Sequence, residues 1–495
     1  MKLLKGLLIV ALLVAFTIPV YAETQSIKLS GDLTFRGISR KNYDFNKWNA
    51  SDNLGANTGV IPSSRDLNAC NAGYLMTTAE VQLDADLTDN VSATIRVVNQ
   101  RDWNVRLLHS ISTGEYLFPS DTDNTASNDE FKIDIDLAYV TLKEFFFSPL
   151  TVKIGRQDIW FGKGFIVGAN GWQDPQHQLS GDEWSVLNAF DAIRATWDFE
   201  PWTLDAIFAK ITENEPASDD DENLWGLNLG CDMAEYWNSE AELYYFLKDD
   251  RGVPNYNIQY GDNNTNTINC LGGRGSFEPH EEITLFGEVA VEFGKYTASV
   301  NQQERRNRSA WAVDVGSECR LWEEQFAWKP KFGLEYIFYS GQDVNDDHEG
   351  AAYHGWDRMF RGKVDSAIHE WYNVLYTYGT PTANDRGDTN LHQFIVSGSL
   401  QPMDNLMVDA RWVGSRLHEN ATAGVGNKDV GNELDVQLNY EYTEDVTFGL
   451  LGAWFWAGDY YTVPEHYSAS NVPGGSESKA KNVASELVAS CKVSF

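Results

Sequence analysis

The chain ends on Asn482-Val483-Ala484-Ser485-Glu486-Leu487-Val488-Ala489-Ser490-Cys491-Lys492-Val493-Ser494-Phe495. Val483, Leu487, Ala489, Cys491, Val493 and Phe495 share one parity; Glu486, Ser490, Lys492 and Ser494 share the other. A period of two means an extended strand with unlike faces. The same rhythm recurs far upstream. Ile27, Leu29, Leu33 and Phe35 alternate with Lys28, Ser30, Asp32, Thr34 and Arg36. Leu434, Val436, Leu438, Tyr440 and Tyr442 alternate with Glu433, Asp435, Gln437, Asn439 and Glu441, and Trp311, Val313 and Val315 with Ala312, Asp314 and Gly316.

Alternation leaves two architectures open. A soluble sandwich buries its apolar face, whereas a membrane barrel turns that face to lipid. Connection lengths separate them. The pattern predicts about eighteen strands, at 26–37, 72–86, 90–104, 130–143, 150–160, 187–199, 201–212, 223–231, 239–248, 266–277, 281–294, 309–321, 329–340, 390–401, 404–416, 431–443, 445–457 and 482–495. Tight turns such as Leu87–Asp89, Glu200, Pro402–Met403 and Glu444 alternate with long connections at Ile38–Asn71, Val105–Asp129, Phe161–Val186, Gly341–Thr389 and Gly458–Lys481. The long ones all fall on one side. A sandwich has no reason to segregate its loops, but an outer-membrane barrel does, with brief periplasmic turns and large outer loops. The expected fold is an all-β transmembrane antiparallel barrel of about sixteen to eighteen strands, wide enough to enclose water.

The flanks agree. Residues 1–22 read as a secretory signal: Lys2 and Lys5 lead, Gly6 to Ile18 is apolar, and Val20-Tyr21-Ala22 suits cleavage. Residues 23–495 then form one barrel domain. No later stretch reaches the ~18 unbroken apolar residues of a spanning helix. A mean hydropathy of −0.39 fits a barrel, in which only every second strand residue meets lipid. Aromatics at 13 %, with 17 Trp and 22 Tyr, suffice for interfacial girdles. The location implied is the outer membrane of a Gram-negative bacterium, among outer-membrane lipid and lipopolysaccharide.

The formal charge of −34 excludes nucleic acid as a partner, because its sign is wrong. Acidic runs at Asp121–Glu130, Asp219–Glu222 and Asp343–Glu349 read as solvated outer loops, and none matches a spaced calcium loop. The five cysteines, Cys70, Cys231, Cys270, Cys319 and Cys491, show no paired spacing and read as inert. No cofactor or metal motif appears. A Gly-x-Ser-x-Gly elbow, a His-Glu-x-x-His pair and a phosphate-cradling loop are all missing, so catalysis is not expected.

Parity assigns an inner wall. Arg36, Arg96, Arg194, Arg320 and Arg411 point inward, as do Asp32, Glu80, Asp84, Asp134, Asp136, Glu242, Glu288, Glu292, Glu335, Asp409 and Glu433. Rings of charged side chains select solutes by sign. The plainer role is cross-strand pairing that keeps the wall wet.

One segment carries a resemblance. Ala138-Tyr139-Val140-Thr141-Leu142 precedes Gly155-Arg156-Gln157-Asp158, Phe161-Gly162, Trp172 and Phe190-Asp191-Ala192-Ile193-Arg194. This stretch resembles the alginate-export family of outer-membrane barrels, in which a strand ends on Gly-Arg-Gln, a long loop carries a Trp, and a strand opens on Phe-Asp. The resemblance implies an eighteen-stranded porin, with Arg156, Asp191 and Arg194 at the pore wall or its constricting loop and Trp172 a loop candidate. Strict alternation with Val152 and Ile154 sends Arg156 outward, to snorkel at the interface; a bulge at Gly155 turns it inward. The family's exporter favours basic pore residues, whereas this inward set is acid-heavy.

The loop Gly341–Thr389 holds Tyr353, His354, Trp356, Phe360, Trp371, Tyr372, Tyr376 and Tyr378 among Arg358, Arg361 and Lys363. Either its aromatics stack on sugar rings while its bases meet carboxylates, or they pack the loop into an extracellular cap. The leading expectation is a channel for hydrophilic solute, an anionic or neutral oligosaccharide or polysaccharide. The rivals are a cation-preferring diffusion porin, a surface-binding adhesin with an occluded lumen, and a soluble periplasmic β-protein. A partner, periplasmic or other, would have to couple through the turns or loops, as no separate domain is visible for it.

Overall fold

The structure, a computed structural model, describes residues 25–42, 71–103, 133–170, 184–213, 221–251, 266–297, 305–320, 326–343, 351–370, 389–420, 427–461 and 483–495. The signal segment, Cys70 and Trp172 lie outside these residues. The strands are β1 (Ser26–Lys41), β2 (Asn71–Thr88), β3 (Val91–Asp102), β4 (Asp134–Leu142), β5 (Leu150–Gln157), β6 (Phe190–Phe199), β7 (Trp202–Thr212), β8 (Glu222–Met233) and β9 (Ser239–Asp250). They continue as β10 (Asn266–His280), β11 (Ile283–Thr297), β12 (Arg305–Cys319), β13 (Lys331–Tyr339), β14 (Leu391–Met403), β15 (Leu406–Leu417), β16 (Asp429–Thr443), β17 (Val446–Ala457) and β18 (Val483–Ser494).

Each strand pairs antiparallel with its sequence neighbours, and β18 pairs with β1 from Asp32↔Ser494 to Lys41↔Ser485. The sheet is therefore closed and has no free edge. All eighteen segments expected from alternation are present. Strands of up to 18 residues exceed what a bilayer needs, so several project beyond the hydrocarbon. Turns at Asp89–Asn90, Glu200–Pro201, Glu281–Glu282, Asp404–Asn405 and Glu444–Asp445 define the short-loop end, the periplasmic one in such barrels.

The two faces separate as parity requires. Ile27, Leu83, Ile95, Ile154, Ile193, Leu227, Trp311, Leu334, Phe394 and Leu487 are exposed outside and form the lipid belt. The other parity holds buried Thr78, Asp205, Asn228, Glu292, Asp314, Gln393, Glu433 and Glu486.

The interior departs from a simple wet tube. Ile159, Phe165, Ile166, Val167, Trp356, Met359, Phe360 and Ile368, all from loops, pack against inward Ile207, Ala209, Leu224, Phe246, Ile268, Ile337, Leu391, Val413 and Phe455. An eighteen-stranded wall is too wide for its own side chains to fill. Two inward-folded loops fill part of it, and they bring an apolar core inside the barrel.

Candidate functional site

The first inner loop follows β5 and the second, residues 351–370, follows β13; the second is termed the strap. They cross where Val167 bridges Phe360 in parallel. Phe360 N–H donates to Ile166 O (2.9 Å), Gly168 N–H to Phe360 O (2.7 Å), and Gly362 N–H to Gly164 O (2.9 Å). Glycine is required at this crossing. A Cβ on Gly362 would lie 2.7 Å from the Gly168 backbone and 2.6 Å from the Trp160 ring. Trp160 fixes itself by donating Nε1–H to Gly162 O (2.9 Å).

The strap is hooked to the wall along its length. Tyr353 bridges Arg308 of β12 and stacks on Tyr296 with ring centroids 3.7 Å apart. Arg308 donates to Gly355 O at 2.7 Å. Asp357 N–H donates to Glu292 (2.9 Å), while the Asp357 carboxylate meets Lys248 at 3.2 Å. Lys363 pairs with Asp314 at 2.8 Å and also with Glu335. Arg411 donates to Val364 O (3.3 Å) and Asp365 O (3.0 Å). Finally Ala367 N–H reaches Asp435 at 3.1 Å, and the Ile368 and His369 N–H groups reach the two oxygens of Glu433, each at 2.6 Å. These anchors come from β9, β11, β12, β13, β15 and β16.

The strap's own charges are set by these contacts. Burial would raise the Asp365 carboxyl, but Lys363, Arg361 and Arg411 outweigh it and hold it below the usual carboxylate range. Burial likewise opposes ionisation of Asp357, and Lys248, Arg308 and the Met359 N–H overcome it. Lys363 is held above its ordinary value against burial, by Asp365, Asp314 and Glu335.

Below the strap a cavity of about 550 Å³ remains. Arg320, Lys331 and Arg411 line it with Glu318, Asp409 and Asp435; Ser397 and Ser399 add hydroxyls, and Trp184 an aromatic face. Arg320 and Lys331 flank the β12–β13 connection, so this chamber opens toward the short-turn end. The Arg36 guanidinium lies 5.2 Å from the centroid of the Trp184 ring, tying β1 to the same vestibule.

The residues singled out in the sequence fall into three groups. Arg36, Arg320 and Arg411 gather around the vestibule. Others serve the wall: Arg96 pairs with Asp136 and lies 3.8 Å from Glu80, Arg194 pairs with Asp205 at 2.7 Å, and Asp32 meets Ser494 at 2.6 Å and Lys492 at 3.3 Å. Glu288 accepts from Tyr244 at 2.7 Å, and Glu292 holds the strap. The third group lies elsewhere than a pore wall. No register shift interrupts β4–β5 or β5–β6 at Gly155, although its φ is +124°. Arg156 therefore keeps the parity of exposed Ile154, on the outer face, and meets exposed Asp191 at 3.3 Å. The bulge that would have turned Arg156 inward is absent from this ladder.

The long loop also differs from both expectations. Trp356 is 1 % exposed, and Tyr353 and Phe360 are buried beside it, so these aromatics form core rather than a sugar platform. Arg361 is spent on Asp365 (2.5 Å) and Glu370 (3.2 Å), and Arg358 donates to Arg361 O at 3.3 Å. The loop packs on itself, but inside the barrel and not as an outer cap. Lys331 and Trp184 were not singled out from the sequence. Lys331 carried a usable signal, the parity of β13, whereas Trp184 stood in a long connection without any. Among the described residues no group of three His, Cys, Asp or Glu is placed to hold a metal, and Cys231, Cys270, Cys319 and Cys491 are free thiols.

Comparison with known proteins follows the same lines. The family described as alginate export matches residues 63–474. No curated protein is similar in sequence. Among solved structures, OccAB1 of Acinetobacter baumannii aligns with a TM-score of 0.52 at 11 % identity, over 96 % of this chain and 98 % of that one. OccK11 (OpdR) of Pseudomonas aeruginosa aligns with a TM-score of 0.51 at 10 % identity, over 95 % and 96 %. OccK2 (OpdF) of Pseudomonas aeruginosa, solved with glucuronate, aligns with a TM-score of 0.50 at 11 % identity, over 96 % and 99 %. At such identities the likeness is one of fold.

Proposed function

The chain belongs to the alginate export family of outer-membrane barrels, and from that premise we propose that it conducts an anionic hydrophilic oligosaccharide through the vestibule beneath its strap. Family and fold are those of an outer-membrane channel. The observation that carries the finer reading is how the wall's acids are used. Glu292, Asp314, Glu335, Glu433 and Asp435 are occupied in holding the strap. The acid-heavy inventory therefore overstates the negative charge met by a solute. Around the chamber Arg36, Arg320 and Lys331 offer cationic donors beside Arg411, which also holds two strap carbonyls; Ser397 and Ser399 add hydroxyls, and Trp184 a flat apolar face. Carboxylates are recognised by such donors, and sugar rings by such faces.

Single-channel recording of the refolded protein in a salt gradient tests this. Anion preference, with block by uronate oligomers and weakened block in the Arg320→Ala/Lys331→Ala double variant, is the expected result. Strong cation preference without uronate block would sink it. It would instead favour a general cation porin, for which Glu318 and Asp409 in the same chamber are suited. Glucuronate, held by OccK2, serves as the smallest probe.

A further inference from the structure

The outer rim treats its basic residues in two ways. Along β5 to β9 each one named here has an acid: Arg156 has Asp191 at 3.3 Å, Lys210 has Glu213 at 2.5 Å and also Asp221, and Arg251 has Asp249 at 3.1 Å. Around β13 to β16 the matching breaks. Arg416 stands exposed near the top of β15, on the outward parity of Trp412, and among the described residues its guanidinium makes no ion pair or side-chain hydrogen bond. Its ladder neighbours are His392 on β14 and Asp429 on β16. Lys428 stands alongside, donating to His418 O at 2.6 Å and to Glu419 at 3.4 Å.

This sector is built rather than accidental. Phe338 faces outward, yet it is only 3 % exposed. Trp311, His392 and His418 close over it with ring centroids 4.3, 4.9 and 5.0 Å away. Both imidazoles are fixed through Nδ1, His392 by the Tyr336 hydroxyl at 2.8 Å and His418 by accepting the Gly341 N–H at 3.2 Å. The Nε2 edge of His418 lies 3.6 Å from Glu419, whose carboxylate Lys428 also engages. His392 stands opposite Arg416 in the β14–β15 ladder. Beneath them, Phe394, Val396 and Trp412 descend the outer wall as exposed apolar side chains.

We propose that this patch binds a phosphate of an outer-leaflet glycolipid. Arg416 makes the charge-assisted contact, with His392 and Lys428 flanking the phosphate. An acyl chain of the same lipid lies along Phe394, Val396 and Trp412. Guanidinium geometry suits two phosphate oxygens at once. The apolar lane beneath the donors favours a lipid over a free anion, which would have no use for it. The site stands apart from the solute pathway, because it lies on the opposite face of the wall.

Native mass spectrometry of the folded barrel with three lipids provides the test: bisphosphorylated lipid A, the same lipid A stripped of phosphate, and phosphatidylglycerol. Wild type is expected to retain the phosphorylated lipid A in preference to the other two. Arg416→Ser should lower that retention about tenfold, Arg416→Lys should restore most of it, and Lys210→Ser should leave it unchanged. Folding of each variant is checked by its heat-dependent gel shift. Lys428→Ser provides a second variant, expected to show a smaller loss. Equal retention of dephosphorylated lipid A, undiminished binding by folded Arg416→Ser, or preference for phosphatidylglycerol would overturn the proposal. So would displacement of lipid A by millimolar inorganic phosphate, which would mark a free-anion site.

Discussion

Lys363 ties the strap to the wall, with carboxylates from Asp314, Glu335 and Asp365 around one ammonium. Removing one member of a buried ionic cluster leaves its partners' charge uncompensated and costs about 3–5 kcal/mol. Lys363→Met is therefore expected to lower the urea midpoint of the detergent-folded barrel by the equivalent of about 3 kcal/mol, with Lys363→Arg losing less. An unchanged midpoint would mean that the strap gains nothing from that contact. One residue earlier, Gly362→Val would drive a side chain into Gly168 and Trp160, which lie within 2.6–2.7 Å of any added Cβ. The expected result is a larger and noisier single-channel conductance as the two loops part; a conductance identical to wild type would count against the crossing as the constriction. Arg156 shows the limit of reading residues from sequence. Its neighbours Val152 and Ile154 already sent it outward, and the uninterrupted register agrees with them.

At the scale of elements, strands and loops were unequally legible. A strand with one lipid face writes its direction into every second residue, so β1, β12, β16 and β18 could be read with their faces assigned. A loop has no such period. Tyr353, Trp356 and Phe360 are as compatible with a sugar platform as with a core, and only the partners Tyr296, Tyr339 and Phe190 decide. That Glu292, Asp314, Glu335, Glu433 and Asp435 serve as hooks depends on a strap that sequence parity does not locate. Two of the strap's own carboxyls contribute to its response to acid in a definite direction. A group whose folded pKa is depressed stabilises the fold above its unfolded pKa, and that contribution is lost as pH falls through the lower folded value. Asp357 and Asp365 are both depressed. Their share of strap attachment should thus persist through the ordinary carboxylate range near pH 4 and fail only below it. Infrared difference spectra of wild type against Asp357→Asn and Asp365→Asn, taken from pH 7 downward, should show these two carboxyls still ionised at about pH 4; their protonation by pH 6 would contradict it.

For the whole molecule, the balance of charge is a matter of location. The chain carries −34, yet five inward acids serve the strap while the vestibule and one sector of the outer rim display bases. Raising ionic strength should weaken any solute preference set by the vestibule, since screening shortens the reach of exposed charge to about 8 Å at physiological salt. Reversal potentials at constant salt ratio, taken at low and high absolute concentration, should therefore converge toward zero; a preference independent of salt would assign selection to pore width instead.

The crossing of the two inner loops also has a history written into it. The first loop leaves β5 carrying Ile159, Phe165, Ile166 and Val167, and the residues that cover them, Trp356, Met359 and Phe360, follow only after β13. Until the strap docks, the earlier loop's apolar side chains lack their cover, because their partners lie nearly 200 positions further along the chain, a contact of high sequence separation. Closure of β1 on β18 then seals both loops inside. Biogenesis of this barrel is accordingly a packing problem with a deadline: cargo has to be stowed before the last seam is sewn.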